Sequence, residues 1–158
     1  MTISPANDNL SLMKTVISSN LKQTMEIGKQ LADELNGGDI LCLYGDLGAG
    51  KTALTKGIAL GLGIKKEITS PTFVLMNHYN IKTLKHKNIK TLVHIDTYRL
   101  KNEQELLDIG AQDYLGADDT VCVIEWPEKI EKLLPTGGQV KKITIEHLDG
   151  EKRKITIK

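Results

Sequence analysis

Eight consecutive residues constrain this chain more than any others: Gly45-Asp46-Leu47-Gly48-Ala49-Gly50-Lys51-Thr52. They satisfy the phosphate-loop pattern of a glycine, four residues, then glycine, lysine and a hydroxyl residue. Glycines at these places allow positive φ and let backbone N–H groups approach a polyphosphate closely. Lys51 is placed to reach the terminal phosphates and the Thr52 hydroxyl to meet Mg²⁺. The flanks fit. Ile40 to Tyr44 is an apolar run of strand length, and Leu54, Ile58 and Leu62 share one helical face, so a triphosphate would lie at a helix N-terminus. The pattern predicts a nucleoside triphosphate site with Asp46, Leu47, Gly48, Ala49, Gly50, Lys51 and Thr52 around the phosphates.

A phosphate loop opening a helix requires a sheet behind it, and the rest of the chain supplies one. Residues 1–14 are polar and turn-rich and read as a loose lead-in. Ser18, Ser19 or Asn20 can cap a helix running towards Leu35, which Asn36-Gly37-Gly38-Asp39 stops. The phosphate-loop helix is expected to end around Gly61 to Gly63. An extended run spans Phe73 to Tyr79, followed by a polar hairpin tip over residues 80–90. Thr91 to Asp96 and Thr120 to Glu125 are apolar strands that each end in an acid. A short acidic helix is expected over Glu103 to Ile109, and a helix opened by Pro127 reaches Leu134. Val140 to His147 and Lys152 to Lys158 alternate around Asp149-Gly150, a hairpin signal. This order predicts one α/β domain over residues 1–158, a P-loop NTPase-like three-layer sandwich. Its mixed sheet would be parallel at the centre with antiparallel additions.

Composition narrows the setting. The formal net charge of +1 gives no global attraction to nucleic acid or membrane. Cys42 and Cys122 lie inside apolar runs and read as buried free thiols of a reducing compartment. No run approaches membrane-spanning length, which together with the thiols points to the cytoplasm.

The phosphate loop needs an acid near the metal, and two strand ends offer one. Asp96 and Glu125 should gather on the phosphate-loop edge of a parallel sheet. One would anchor Mg²⁺ and the other orient the attacking water or hold its neighbour, and spacing leaves the division open. Thr72, in Ser70-Pro71-Thr72-Phe73, resembles a switch hydroxyl that senses the terminal phosphate. His94 reads as a hydrogen-bonded structural residue, and Trp126 either packs in the core or sits by the nucleotide. The lysines between Lys82 and Lys90 read as a solvated loop. Asp113-Tyr114-Leu115-Gly116 matches a GTPase switch element, but no apolar strand feeds it.

The phosphate loop together with Ser70-Pro71-Thr72-Phe73, His94-Ile95-Asp96-Thr97-Tyr98-Arg99-Leu100 and Glu125-Trp126-Pro127-Glu128 resembles the bacterial TsaE family, over roughly residues 18–134. That resemblance implies an ATPase of tRNA threonylcarbamoyladenosine biosynthesis that uses Mg²⁺ with ATP and joins the TsaB–TsaD heterodimer. The assembly modifies adenosine 37 of tRNAs reading codons that start with A, and the small subunit's hydrolysis permits repeated turnover. By the same resemblance Glu125 is the direct metal ligand, Asp96 an essential acid of hydrolysis, Trp126 a functional residue and Thr72 a switch. Two other readings compete. A small-molecule kinase would want an arginine-rich lid, and Arg99 and Arg153 are the chain's only arginines. A nucleotide-dependent docking protein would treat hydrolysis as incidental.

Overall fold

The computed structural model describes residues 13–83, 85, 86 and 88–158. Most of the proposed lead-in, residues 1–12, and two positions of the 80–90 tip lie outside the described residues. The described chain forms seven strands and three α-helices. The strands are β1 (Lys14–Ser18), β2 (Ile40–Tyr44), β3 (Met76–Asn80), β4 (Thr91–Asp96), β5 (Thr120–Glu125), β6 (Val140–His147) and β7 (Arg153–Ile157). The helices are α1 (Leu21–Leu31), α2 (Lys51–Gly61) and α3 (Glu103–Asp108).

One sheet holds all seven strands in the order β1-β7-β6-β2-β5-β4-β3. β6, β2, β5 and β4 run parallel, while β3, β7 and β1 pair antiparallel at the edges. The mixed sheet with a parallel centre is therefore as its sequence pattern predicts. Side-chain alternation divides the core into two layers. Leu41, Leu43, Val121, Val123 and Leu92 face α1 and α2, whereas Ile40, Cys42, Cys122, Ile124, Val93 and Ile95 face α3 and the turns around it. Burial raises the two thiols, Cys42 to about 11 and Cys122 to about 12, so both stay protonated at neutral pH.

α1 and α2 lie close because glycine meets backbone at their crossing. A Cβ on Gly57 would stand 1.9 Å from the Met25 carbonyl oxygen, and one on Gly28 would stand 2.4 Å from that of Leu54. Asn20 caps α1, accepting from the Gln23 N–H at 2.8 Å, as one of the three candidate caps. The helix gives way to a 3₁₀ turn at Ala32–Glu34 instead of running unbroken to Leu35.

Three elements differ from expectation. The strand expected from Phe73 begins at Met76, because residues 72–74 form a turn closed by the Leu75 N–H on the Pro71 carbonyl at 2.7 Å. Apolar content misleads there: Phe73 is 82% exposed. The helix expected from Pro127 to Leu134 is two 3₁₀ turns, Pro127–Lys129 and Glu131–Leu133. Between them Ile130 (φ −132°) leaves helical geometry to bury its side chain. β1 was not anticipated, since Lys14, Thr15 and Ile17 are exposed on an edge strand and carry little pattern.

Candidate nucleotide site

β2 ends at Tyr44 and the chain turns through the phosphate loop into α2. Gly50 sits at φ +113°, a left-handed conformation that β-carbon-bearing residues avoid, and this turn aims the first amides of α2 outward. Asparagine side chains cap α1 and α3, but no side chain caps α2. Its first-turn N–H groups, which have no intrahelical acceptors, remain free for an anion. Asp46, Leu47 and Gly48 form the exposed lip of the loop, with Ala49 buried behind them.

The loop is one wall of a cavity of about 600 Å³ also lined by Thr72, Asp96, Arg99, Glu125 and Trp126. Sheet register explains the convergence. Asp96 and Glu125 are paired neighbours on β4 and β5. They fall in the same alternation as Leu92 and Val123, so both carboxylates face the helix α2 side. Both acids are buried, with Asp96 4% and Glu125 3% exposed.

Each carboxylate has its own partners. Glu125 Oε1 accepts from the Thr52 hydroxyl at 3.0 Å. Burial pushes the Glu125 carboxyl up, but the adjacent His94 imidazole and the Thr52 hydroxyl outweigh it and hold Glu125 below the usual range. Asp96 Oδ2 accepts from Ser70 Oγ at 3.1 Å and Thr72 Oγ1 at 3.2 Å, and its Oδ1 from the Tyr98 N–H at 2.9 Å. Asp96 thus ties the 70–75 turn to β4. That turn carries a second constraint, Leu75 at φ +67°.

Lys51 folds back over its own loop, donating to the Gly45 carbonyl and, at 3.3 Å, to that of Asp46. Its ammonium lies 3.7 Å from the centre of the Trp126 ring, a cation–π contact. Burial lowers the lysine below its ordinary value against the pull of Glu125 and Glu128. Trp126 is therefore a half-buried wall of the cavity, not a core residue. It also packs against Tyr98, with ring centres 5.1 Å apart and planes tilted by 43°.

Sequence reasoning missed two residues that hold these parts in place. Trp126 adopts φ +59°, ψ +48°, unusual for a bulky residue. The fully buried Thr97 hydroxyl, which reaches the carbonyls of Glu125 and Trp126, fixes it there. Arg153 opens β7, and its Nε donates to the Ala49 carbonyl at 2.8 Å. β6 pairs with β2 only as far as Thr144, and its last residues continue beyond to carry Arg153 beside the loop. Thr97 was visible within the Asp96-Thr97-Tyr98-Arg99 segment, whereas nothing in the alternating C-terminal hairpin marks Arg153.

His94 departs from expectation. It is fully buried, yet neither ring nitrogen has a hydrogen-bond partner among the described residues, and Nε2 stands 3.5 Å from Glu125 Oε1 without hydrogen-bond alignment. Arg99 reaches the cavity rim, with its guanidinium 4.5 Å from the Phe73 ring centre. Among the described residues between Lys82 and Lys90, which join β3 to β4, none lines this cavity.

The model of the family described as threonylcarbamoyl adenosine biosynthesis protein TsaE matches residues 18–155. A Bacillus subtilis protein named tRNA threonylcarbamoyladenosine biosynthesis protein TsaE is 39% identical over 137 residues, 87% of this chain and 80% of that protein. A Treponema pallidum protein of the same name is 40% identical over 119 residues, 75% of this chain and 82% of its own length. The crystal structure of Bacillus subtilis YdiB superposes with a TM-score of 0.73 at 34% identity, covering 92% of this chain and 84% of that one. Phosphate loop, paired strand-end acids and near full-length likeness agree: this chain belongs to the TsaE family.

Proposed function

We propose that this chain binds Mg·ATP in the 600 Å³ cavity and hydrolyses it as a subunit acting with TsaB and TsaD in tRNA threonylcarbamoyladenosine formation. The observation carrying this reading is the convergence of Lys51, Thr52, Thr72, Asp96 and Glu125 on that cavity, opposite the uncapped N-terminus of α2. The relatives' names support the process, and the site geometry supports the chemistry.

The donor set fits a magnesium ion that would be held by Thr52 and Glu125 beside a bound triphosphate. Among the described residues no three His, Cys, Asp or Glu side chains cluster as a protein cage. Mg²⁺ commonly takes one or two protein oxygens and completes its shell with phosphate and water. Thr52 and Glu125, already 3.0 Å apart, would provide that oxygen face. When bound, the ion supplies charge neutralisation on the β- and γ-phosphates.

The chain's own residues do the rest. The α2 amides bind the phosphates, and Lys51 exchanges its loop carbonyls for phosphate oxygens. The Thr72 hydroxyl lets go of Asp96 to meet the terminal phosphate, which frees an Asp96 oxygen to orient the attacking water. Trp126 and Tyr98 cover the lysine side and limit water access. Arg99 on the rim is the one arginine lining the cavity, Arg153 being buried behind the loop on the Ala49 carbonyl, so hydrolysis by the isolated chain is expected to be slow. A partner is expected to complete the charge stabilisation.

The test is ATP turnover by purified chain, alone and with TsaB–TsaD, beside multiple-turnover modification of tRNA. Faster hydrolysis in the assembly, and modification that stops after one round with Lys51→Ala, would support the reading. Turnover indifferent to the pair would remove the proposed role.

A further inference from the structure

We propose that His94 is a positioning residue: its Nε2–H becomes the hydrogen-bond donor that holds the Glu125 carboxylate once Mg·nucleotide is bound. The inference rests on the metal reading of Glu125 above and goes beyond it.

An imidazole always carries at least one N–H donor, and a buried donor left unmade is costly. His94 is 0% exposed and both of its ring nitrogens are unpartnered. An apolar ring of similar size would fill the same space without that cost, so packing alone does not explain a histidine here. One acceptor stands close to Nε2. Glu125 Oε1 lies 3.5 Å from Nε2, a few tenths of an ångström beyond an ordinary N–H···O bond.

The same oxygen is already engaged by another donor. Glu125 is held by the Thr52 hydroxyl in this state. When the Thr52 oxygen turns towards a bound ion, its hold on Oε1 loosens, and a small rotation of the carboxylate can turn Oε2 to the cavity and bring Oε1 onto a donor behind it. Register places His94 there: it pairs with Val123 on β5, two residues back from Glu125 on the same face of the sheet. A carboxylate oxygen has two lone pairs, so Oε1 can accept from Thr52 and His94 together. Groups placed behind ligand atoms in this way fix their orientation and typically change metal affinity by about 10–100-fold.

Calorimetric titration of a non-hydrolysable ATP analogue, with Mg²⁺ and with EDTA, tests the inference on wild type, His94→Phe and His94→Gln. The phenyl keeps shape without a donor, and the glutamine amide nitrogen can stand near the Nε2 position. His94→Phe should lose about tenfold of the Mg²⁺-dependent affinity gain and keep its EDTA affinity, and His94→Gln should recover most of the gain. Equal Mg²⁺ gains in His94→Phe and wild type, or an equal loss with and without the ion, would overturn the role of His94 alone. Absence of any Mg²⁺ gain in wild type would instead sink the metal reading, and this inference with it. A readout on the wild-type protein covers a variant that fails to fold. The ring ¹⁵N and N–H signals of His94 should move to those of a hydrogen-bonded Nε2–H on adding Mg·analogue and not on adding analogue with EDTA. Unchanged ring signals would overturn the proposal.

Discussion

The two walls of the nucleotide cavity are made in opposite ways. The first is one continuous stretch, Gly45 to Thr52, whose shape follows from glycine at Gly48 and Gly50 and from the strand and helix it joins. The second is assembled from three separated pieces: the 70–75 turn, Asp96 to Arg99, and Glu125 with Trp126. Its parts meet because β4 and β5 pair in register, and hydroxyl-to-carboxylate contacts join them. Backbone geometry makes the first wall a fixed receptor. The second is held by side-chain bonds, which under the proposed function a bound nucleotide would replace.

The comparison breaks most severely at Lys51, which belongs to the fixed wall but touches both. Lys51→Ala removes the ammonium proposed to meet the phosphates, which is also the cation over the Trp126 ring. Triphosphate affinity should fall at least 100-fold, about 3 kcal/mol, while the melting temperature changes little. Titration calorimetry and a thermal melt check the two halves, and near-normal affinity would mean that the amides bind without the lysine.

On the assembled wall the loss should be larger in turnover than in binding. Glu125→Gln and Asp96→Asn keep shape and remove charge, so phosphate release should drop about 10²–10³-fold. Affinity in Mg²⁺ should fall about 10–100-fold for Glu125→Gln, which removes the charge facing the ion, and by less than about tenfold for Asp96→Asn, because the α2 amides and Lys51 are untouched. If binding falls as far as turnover, the division of labour between the walls is wrong.

Arg153 sharpens the contrast, since it shows the local wall to have one distant support. Arg153→Met keeps the buried stem and deletes the charge-assisted bond to the Ala49 carbonyl. Chemical denaturation should show a loss of about 1.5–3 kcal/mol, with weaker nucleotide binding in proportion. Thr97→Val probes the matching support on the other wall. It strips the hydroxyl from the Glu125 and Trp126 carbonyls and should cost about 1–2 kcal/mol. Because Trp126 is the only tryptophan, its fluorescence reports directly on whether the strained turn relaxes.

The same contrast explains which parts the sequence made legible. The phosphate loop, β2, β4 and β5 were readable because each is set by neighbours along the chain: glycine spacing, or a buried run ending in an acid. The paired acids were readable as a consequence, since parallel strands put their C-terminal ends on one edge. Arg153 was not readable. Its role depends on β6 outrunning β2, a difference in strand length that alternation does not encode. Nor was the orphaned state of His94, because the pattern that puts it among buried residues says nothing about acceptors within reach. Phe73 failed for the reverse reason: an apolar residue implied a strand where the chain makes a turn.

That exposed ring gives the smallest expected effect. Phe73 is 82% and Val74 60% exposed on the turn whose Thr72 hydroxyl binds Asp96. Phe73→Ala removes surface that the folded chain scarcely buries, and the Arg99 contact at 4.5 Å is open to water. Stability should move by less than about 0.5 kcal/mol, and nucleotide affinity should stay within a factor of two or so. A denaturation curve and an ATP titration decide it. A larger loss in either would mean that the ring holds the turn in place, and that the assembled wall has an apolar anchor besides its hydroxyls.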